Sequence, residues 1–346
     1  MNSKIVHSDS VRKVLFSPNS KFIGTMSDTD SLKIWDIERR ECIRTLRSKT
    51  FTNSYICFKG RGKCLSFSTD GCFMATGDSN GIVKIWDTNT WKSLFDLKNE
   101  EYKIWKVLFS PDGHFLVVGS GNAKINIWKL ITREYIPLET NLDFIFNISF
   151  SNSKLMVSGH RNESFKLLEI DINSPNFEHR TYNFEYEPYV HGTTFSPDNQ
   201  FMYSYSYGQN DIHIWKVATG KCVNVLQSQS TGHSFEIRDI SISSDGKFLV
   251  TGSNDDTVKI WDIKNKKCIC TLEGHSGGVL GVAFSPNGRF AVSGSYDFTA
   301  ILWDLREYIP SKKLEFLIAS SLNEKSYWIV QKLFDPILIS DIFERL

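Results

Sequence analysis

The sequence predicts an all-β fold of seven repeated units arranged as a propeller. Six of the nine tryptophans follow Ile or Leu and precede Asp or Lys, namely Trp35, Trp86, Trp128, Trp215, Trp261 and Trp303. Their spacings are 51, 42, 87, 46 and 42 residues, and the gap of 87 holds Leu168 where a seventh tryptophan would stand. Short β-rich runs broken by Ser-Pro-Asp-Gly-like turns fill each unit. This period and composition are typical of a propeller rather than a helical solenoid.

A second marker gives the same register. Five residues lie 19 positions before their tryptophan: Phe16, Phe67, Phe109, Ile242 and Phe284. Phe195 lies 20 before Trp215, and Phe150 lies 18 before Leu168. Each of these residues is followed by a Ser-rich turn, so each predicts the end of one strand per unit.

Composition narrows the classes of function. The 346 residues carry 40 Lys and Arg against 39 Asp and Glu, and a net charge of +1 argues against binding nucleic acid through overall charge. No window approaches 18 consecutive apolar residues and the first residues lack a signal-peptide pattern, so we expect no membrane span and a cytoplasmic or nuclear location. The seven cysteines have no metal-ligand spacing and no nucleotide-binding loop is present, so we expect neither metal nor cofactor.

The last two units resemble the WD-repeat family most fully. They read GHSFEIRDISISSDGKFLVTGSNDDTVKIWD from Gly232 and GHSGGVLGVAFSPNGRFAVSGSYDFTAILWD from Gly274. The resemblance covers residues 1–305 and implies one four-stranded antiparallel blade per unit around a channel. We therefore expect a seven-bladed propeller over 1–305 and a separate extension over 306–346.

The resemblance also implies a buried hydrogen-bonded set of four side chains in each complete blade. These sets are His233, Thr251, Asp255 and Trp261 in blade six, and His275, Ser293, Asp297 and Trp303 in blade seven. Most other blades keep only part of the set, and blade four has Leu168 in place of the tryptophan. Because a partial network leaves polar groups unsatisfied, we expect stability to rise toward blades six and seven. Aligning His7 with His275 predicts that residues 1–5 pair with blade seven and close the ring.

Other sequence features favour structure over chemistry. Cys42, Cys222 and Cys268 each lie seven residues after a tryptophan, which indicates packing on an outer strand. The Gly-Asp-Ser-Asn-Gly run at residues 77–81 matches a nucleophile pattern, but it falls in a predicted turn between antiparallel strands rather than in a strand–turn–helix elbow. The sequence therefore predicts no catalytic constellation and no enzyme.

Family members commonly bind partners at the channel mouth on one face, the top face. The residues expected to line that mouth are Arg12, Lys63, Trp105, Phe146, His191, Arg238 and Leu280, and Tyr296 lies in an adjoining turn. Across 21 positions at this mouth, six Lys or Arg stand against two acids. A local excess of positive charge with aromatic anchors predicts an acidic or phosphorylated peptide as ligand, and a solvated rim neutralised by neighbouring loops is the alternative.

The sequence leaves a second docking role open. Trp303, Asp304 and Arg306 resemble the box by which some WD-repeat proteins dock onto cullin-4-type ubiquitin ligase adaptors, although Trp261-Asp262-Ile263-Lys264 nearly repeats it. After Pro310 the pattern becomes helical, and in the last segment Leu338, Ile339, Ile342, Phe343 and Leu346 share one face. We expect short α-helices that dock on the propeller or bind a partner.

The sequence thus predicts a non-enzymatic scaffold that binds other proteins or peptides, as a monomer within a larger complex. The alternative is a substrate receptor of a cullin-type ubiquitin ligase.

Overall fold

The computed structural model describes most of residues 3–308. The described ranges are 3–28, 32–46, 65–78, 80–99, 104–121, 123–151, 154–161, 164–174, 177–184, 190–206, 208–226 and 232–308. Within strands, the side chains at 144, 146, 151, 161 and 164 lie outside the description, as does that at 307. The helices expected beyond residue 310 and the mouth residue Lys63 also lie outside the described residues.

The chain forms seven four-stranded antiparallel sheets, which confirms the predicted all-β propeller. The first strand, β1 (Ser3–Val6), stands apart from the blade that follows it. Blade one consists of β2 (Val11–Phe16), β3 (Phe22–Ser27), β4 (Leu32–Asp36) and β5 (Glu41–Leu46), and blade two consists of β6 (Leu65–Phe67), β7 (Phe73–Gly77), β8 (Ile82–Asp87) and β9 (Ser93–Lys98). Blade three consists of β10 (Ile104–Phe109), β11 (Phe115–Ser120), β12 (Lys124–Lys129) and β13 (Glu134–Leu138).

Blade four consists of β14 (Phe144–Ser151), β15 (Lys154–Arg161), β16 (Ser164–Asp171) and β17 (His179–Asn183), and blade five consists of β18 (Val190–Phe195), β19 (Phe201–Ser206), β20 (Ile212–Lys216) and β21 (Lys221–Leu226). Blade six consists of β22 (Ile237–Ile242), β23 (Phe248–Ser253), β24 (Val258–Asp262) and β25 (Lys267–Leu272). Blade seven contains β26 (Val279–Phe284), β27 (Phe290–Ser295) and β28 (Thr299–Asp304). A short 3₁₀ helix, η1 (Leu305–Glu307), follows β28.

Strand β1 closes the ring as the sequence predicts. It pairs antiparallel with β28, with Ser3 opposite Leu302 and Val6 opposite Thr299, so the sheet order of blade seven is β1-β28-β27-β26. Ile5 is buried in a cluster with Val11 of blade one and Leu302 of blade seven. The closing strand therefore joins the ring both by backbone hydrogen bonds and by burial of apolar surface.

The core lies between the blades. The buried apolar residues that the structure describes form seven clusters, and each cluster joins one blade to its neighbour around the ring. Because a blade alone exposes one apolar face on each side, stacking neighbours is what buries it.

The Ser-rich turns have one geometry in six blades. In blade seven, Ser285 Oγ donates to Asn287 Oδ1 (2.7 Å) and accepts from the Phe290 backbone N–H (2.8 Å). Ser110 does the same with Asp112 and Phe115 in blade three. Gly288 and Gly113 hold positive φ values of 69° and 74° in these turns, which glycine adopts without strain. These turns form the underside of the propeller, opposite the top face.

Candidate functional site

A β-bulge recurs at the top end of the inner strand in six blades. The pairing of inner and second strands skips one residue in each, for example between Val11 and Lys13 in blade one and between Ile237 and Asp239 in blade six. The skipped residues are Arg12, Trp105, Phe146, His191, Arg238 and Leu280. A bulge re-aims the side chain of its extra residue. These are the residues that the sequence places at the channel mouth, and we refer to them as the bulge ring.

Arg12 is held by two neighbours from different blades. Its Nε donates to Asp28 Oδ1 at 2.5 Å, and its guanidinium carbon lies 5.5 Å from the ring centroid of Tyr296. Burial alone would lower the pKa of Arg12, but the hydrogen bond and the negative charge of Asp28 outweigh it and raise that pKa. Arg12 is therefore a permanent cation with a fixed orientation at the junction of blades one and seven.

Arg238 has a similar arrangement in blade six. Its Nη1 donates to Glu236 Oε1 at 2.9 Å, and Asn254 Nδ2 donates to the same oxygen at 2.7 Å. Glu236 Oε2 accepts from the Gly208 backbone N–H of blade five at 3.2 Å. The Arg238 carbonyl also accepts from Tyr205 Oη at 2.8 Å. Glu236 therefore orients the Arg238 side chain, and contacts from two blades hold Glu236 in place.

The two acids of the mouth are thus the partners of its two described arginines. Asp28 pairs with Arg12 and Glu236 pairs with Arg238. The other four basic residues of the predicted set are Arg61, Lys63, Lys103 and Arg161, whose side chains lie outside the described residues. The predicted excess of positive charge rests on those four side chains, because the described arginines are balanced locally.

The aromatic residues of the mouth differ in exposure. Tyr296 is 42% exposed. Trp105 is partly buried, donates from Nε1 to the Ser120 carbonyl at 2.8 Å and packs between blades. The His191 ring makes an edge contact with Tyr205, with centroids 5.5 Å apart. Leu280 is buried, so its side chain is not part of an open surface. The Phe146 side chain lies outside the described part of the structure.

Two exposed aromatic residues at the top face escaped the sequence analysis. Phe235 is 64% exposed in the connection before β22, and its carbonyl accepts from Ser253 Oγ at 2.9 Å. Phe298 is 47% exposed in the turn before β28. The sequence could have indicated both residues, because each is a large apolar side chain within an otherwise polar turn.

The sets of four side chains in blades six and seven come together. His233 Nε2 lies 2.6 Å from Thr251 Oγ1 and His233 Nδ1 lies 2.8 Å from Asp255 Oδ2, while Trp261 Nε1 donates to Thr251 Oγ1 at 2.9 Å.

In blade seven the corresponding distances are 2.7 Å from His275 to Ser293, 2.9 Å from His275 to Asp297, and 2.8 Å from Trp303 to Ser293. Burial lowers the pKa of His275, against the opposing effect of Asp297. Burial raises the pKa of Asp297, but hydrogen bonds from Thr299, the Ser276 backbone and His275 outweigh it and lower that pKa to about 2. These groups are buried and mutually satisfied, so they hold the blade together and are not available to a substrate.

Other blades keep only part of this set of contacts or lose the tryptophan bond. Trp86 donates to Thr76 at 2.9 Å, and Trp215 donates to Ser204 at 2.8 Å. In blade one Trp35 donates to Thr25 at 3.1 Å, and His7 lies 2.8 Å from the same hydroxyl. In blade three the acceptor position is Val118, and the buried Trp128 Nε1 has no hydrogen-bond partner among the described residues.

The Trp303–Arg306 box lies at the underside of blade seven. Trp303 is 1% exposed and Asp304 is also buried. Arg306 contacts Asp304 through two hydrogen bonds, from Nε at 2.9 Å and from Nη2 at 2.5 Å. Asp304 further accepts from Arg289 Nη2 at 3.2 Å and from the Arg306 backbone N–H at 3.2 Å. The Arg306 side chain is 45% exposed, so only that residue of the box presents much surface.

The cysteines that recur lie opposite the tryptophans. Cys42 is paired with Trp35 across β4 and β5, and Cys222 and Cys268 stand opposite Trp215 and Trp261. Each thiol donates to the carbonyl two residues on, at 3.2 to 3.4 Å. Within the described part of the chain no cluster of His, Cys, Asp and Glu could hold a metal ion, and no helix has the length and apolar character needed to span a membrane.

Comparison with known proteins supports the repeat assignment. A family model described as WD domain, G-beta repeat matches residues 3–36, 40–87, 91–129, 220–262 and 266–304, which is more than half of the chain. The unmatched stretch between 129 and 220 holds blade four and the first three strands of blade five. The repeat pattern is therefore weakest where the tryptophan of blade four is replaced by Leu168.

Three curated relatives are similar in sequence to this chain over part of their length. The chain is 26% identical over 259 residues to nuclear distribution protein PAC1 of Arthroderma otae, covering 74% of this chain and 36% of that protein. It is 28% identical over 288 residues to nuclear distribution protein PAC1-1 of Uncinocarpus reesii, covering 77% and 62%. It is 43% identical over 61 residues to nuclear distribution protein nudF of Aspergillus niger, covering 18% and 13%. The chain thus spans less than two thirds of each of these relatives.

Proposed function

We propose that this chain, which belongs to the WD-repeat family, is a non-enzymatic scaffold that binds a partner peptide at the bulge ring of its top face. The observation that carries the proposal is the recurrence of one bulge at the same position of six blades, because it places Arg12 and Arg238 at equivalent positions of the top face. We further propose that the chain acts as a monomer within a larger complex, in the cytoplasm or the nucleus, and that it does not bind nucleic acid.

The chemistry of the mouth favours an acidic or phosphorylated peptide. A guanidinium has five N–H donors, of which Asp28 takes one from Arg12 and Glu236 takes one from Arg238. A planar guanidinium can donate its remaining N–H groups to a further carboxylate or phosphate oxygen, and its orientation is already set by the existing ion pair. Tyr296, which lies against Arg12, and Phe235, three residues before Arg238 in the sequence, add exposed aromatic surface to the top face. A peptide would therefore meet charge and apolar contact together.

The test uses peptide arrays in which one position holds phosphoserine, Asp or Ser. The full chain should retain phosphoserine or Asp peptides, and Arg12→Glu with Arg238→Glu should abolish that retention. Arg44→Glu is the matched control, because Arg44 is an exposed arginine on the outer strand β5. Equal retention by the double variant and the control would contradict the proposal.

The ubiquitin-ligase alternative is favoured by one feature. Arg306 is about half exposed, and its two contacts with Asp304 fix the direction of the guanidinium. We propose copurification with a cullin adaptor as its test. Arg306→Ala should remove the adaptor, whereas Lys264→Ala, at the matching position of blade six, should not. Absence of any adaptor with the unaltered chain would dismiss this alternative.

A further inference from the structure

A groove of about 620 Å³ opens on the underside, at the seam between blades one and seven. Its size is in the range of ligand-binding pockets. Its apolar wall includes Phe22 and Ile37 of blade one, and Leu302 of blade seven. The two blades meet here through residues far apart in sequence, since the Asn287 backbone N–H donates to Ser20 Oγ at 3.2 Å. The groove is therefore part of the joint that closes the ring, and it lies on the side opposite the bulge ring.

The rim of the groove offers donors to a carboxylate. Lys21 and Arg40 are exposed, and neither makes an ion pair with any other described residue. Arg289 stacks over the Phe290 ring at 4.6 Å, and its buried Nε has no hydrogen-bond partner in the part of the chain that the structure describes. The acids at the rim are Asp36, Glu38 and Asp304, of which Asp304 already contacts two arginines and Asp36 accepts from the Arg39 backbone N–H.

The chain itself supplies a segment that suits this groove. Asp304 lines the groove, and the chain continues through η1 to Tyr308, whose ring lies 6.0 Å from that of Trp303. Residues 335–346 read DPILISDIFERL, with three acids against one arginine. At helical spacing Leu338, Ile339, Ile342, Phe343 and Leu346 fall on one face, whereas Ile337, Asp341 and Glu344 lie off that face. The 26 intervening residues reach any point on the underside, since an extended chain spans about 3.3 Å per residue.

We propose that residues 335–346 bind in this groove of the same chain. The apolar face, including Ile342, covers Phe22, Ile37 and Leu302. The carboxylates of Asp341 and Glu344 then reach Lys21 and Arg40. The bound segment bridges blades one and seven, where the ring is otherwise closed by the four residues of β1. Binding in the groove removes this apolar segment from water, which is favourable.

The test is zero-length carbodiimide cross-linking of the full chain, in an equal mixture of unlabelled and nitrogen-15-labelled protein. The expected product joins Lys21 to Asp341 or Glu344 within one chain, and Lys21→Met removes it. Lys266→Met, which changes an exposed lysine on the underside of blade six, should leave the product in place. Linking spread evenly over the underside lysines would overturn the proposal, as would products joining labelled to unlabelled chains, which indicate a second copy as occupant.

A second pair of variants tests the apolar contact. Ile342→Asp should lower the yield of the Lys21 product about tenfold, because burying a charge there is unfavourable. Ser340→Asp adds the same charge off the apolar face and should not lower the yield. An unchanged yield with Ile342→Asp would contradict the proposal. Peptide binding at the bulge ring should be the same in all these variants, so failure of one proposal is distinguishable from failure of the other.

Discussion

Blade three provides a quantitative test of how the tryptophan hydrogen bonds stabilise the propeller. Trp128 Nε1 is buried without a hydrogen-bond partner among the described residues, whereas the other five repeat tryptophans donate to a Thr or Ser hydroxyl. The strand register explains the difference. Leu116 pairs with Trp128 as Ile23 pairs with Trp35, so Val118 occupies the place of Thr25. Val118→Thr should therefore supply the missing acceptor with little change of volume.

The expected gain follows from the cost of an unmade hydrogen bond. A buried donor without a partner costs about 1–3 kcal/mol, and the new hydroxyl must satisfy its own hydrogen. That hydrogen has an acceptor in the Asn126 carbonyl, because Thr25 and Thr251 donate to the corresponding carbonyls of Lys33 and Lys259, both at 3.4 Å. We therefore expect Val118→Thr to raise the free energy of unfolding by about 1 kcal/mol.

The assay is urea unfolding of four proteins: the unaltered chain, Val118→Thr, Trp128→Phe, and the double variant. In the Trp128→Phe background the donor is gone, so the new hydroxyl should destabilise the protein. The coupling free energy between the two positions should be about 1–3 kcal/mol. If Val118→Thr destabilises both backgrounds equally, the unsatisfied indole N–H is not a cost and this account of the blades is wrong.

Other predictions concern the networks, the histidines and the seam. Thr251→Val should cost about 2 kcal/mol more than Thr76→Val in urea unfolding, because Thr251 also contacts His233; equal costs would contradict this. Burial, with a smaller effect of Lys33, lowers the pKa of His7 from 6.5 to about 4. The unfolded chain binds that proton first, so stability should fall from pH 6.5 toward pH 4, and His7→Gln should flatten the fall, with an unchanged pH profile as the opposing result. Ile5→Asp should lower the melting temperature and Lys4→Asp should not, since Ile5 is buried at the seam and Lys4 is exposed; equal melting temperatures would refute closure by β1. Hydrogen exchange should be faster in blade four than in blade six, and equal protection would contradict the link between complete networks and stability.

Much of the fold could be predicted from the sequence because its signals are local and repeated. Trp303 and Phe284 lie 19 residues apart in a unit whose turns and strands have fixed lengths, so the register follows from spacing. The closing strand was predicted in the same way, from the alignment of His7 with His275. Because the unit repeats along the chain, identifying one unit is enough to predict the whole propeller.

The site could be predicted only in part, because its details depend on contacts between blades. Arg12 was placed at the mouth by its spacing, but its neighbour Tyr296 lies 284 positions away in the sequence. The pairing of both described arginines with the two acids of the mouth was not predicted, because a count of charges carries no geometry. The groove at the seam was also missed, since residues from opposite ends of the propeller sequence line it.

The central claim is that the top face, through the bulge ring, binds the partner. Hydrogen exchange of the full chain with and without a retained phosphopeptide tests it most directly. We expect slower exchange at the top ends of β2 and β22 and in the turn that holds Tyr296, with no change in the underside turns. Slower exchange in the underside turns or on the outer strands, with none at the bulge ring, would contradict the account.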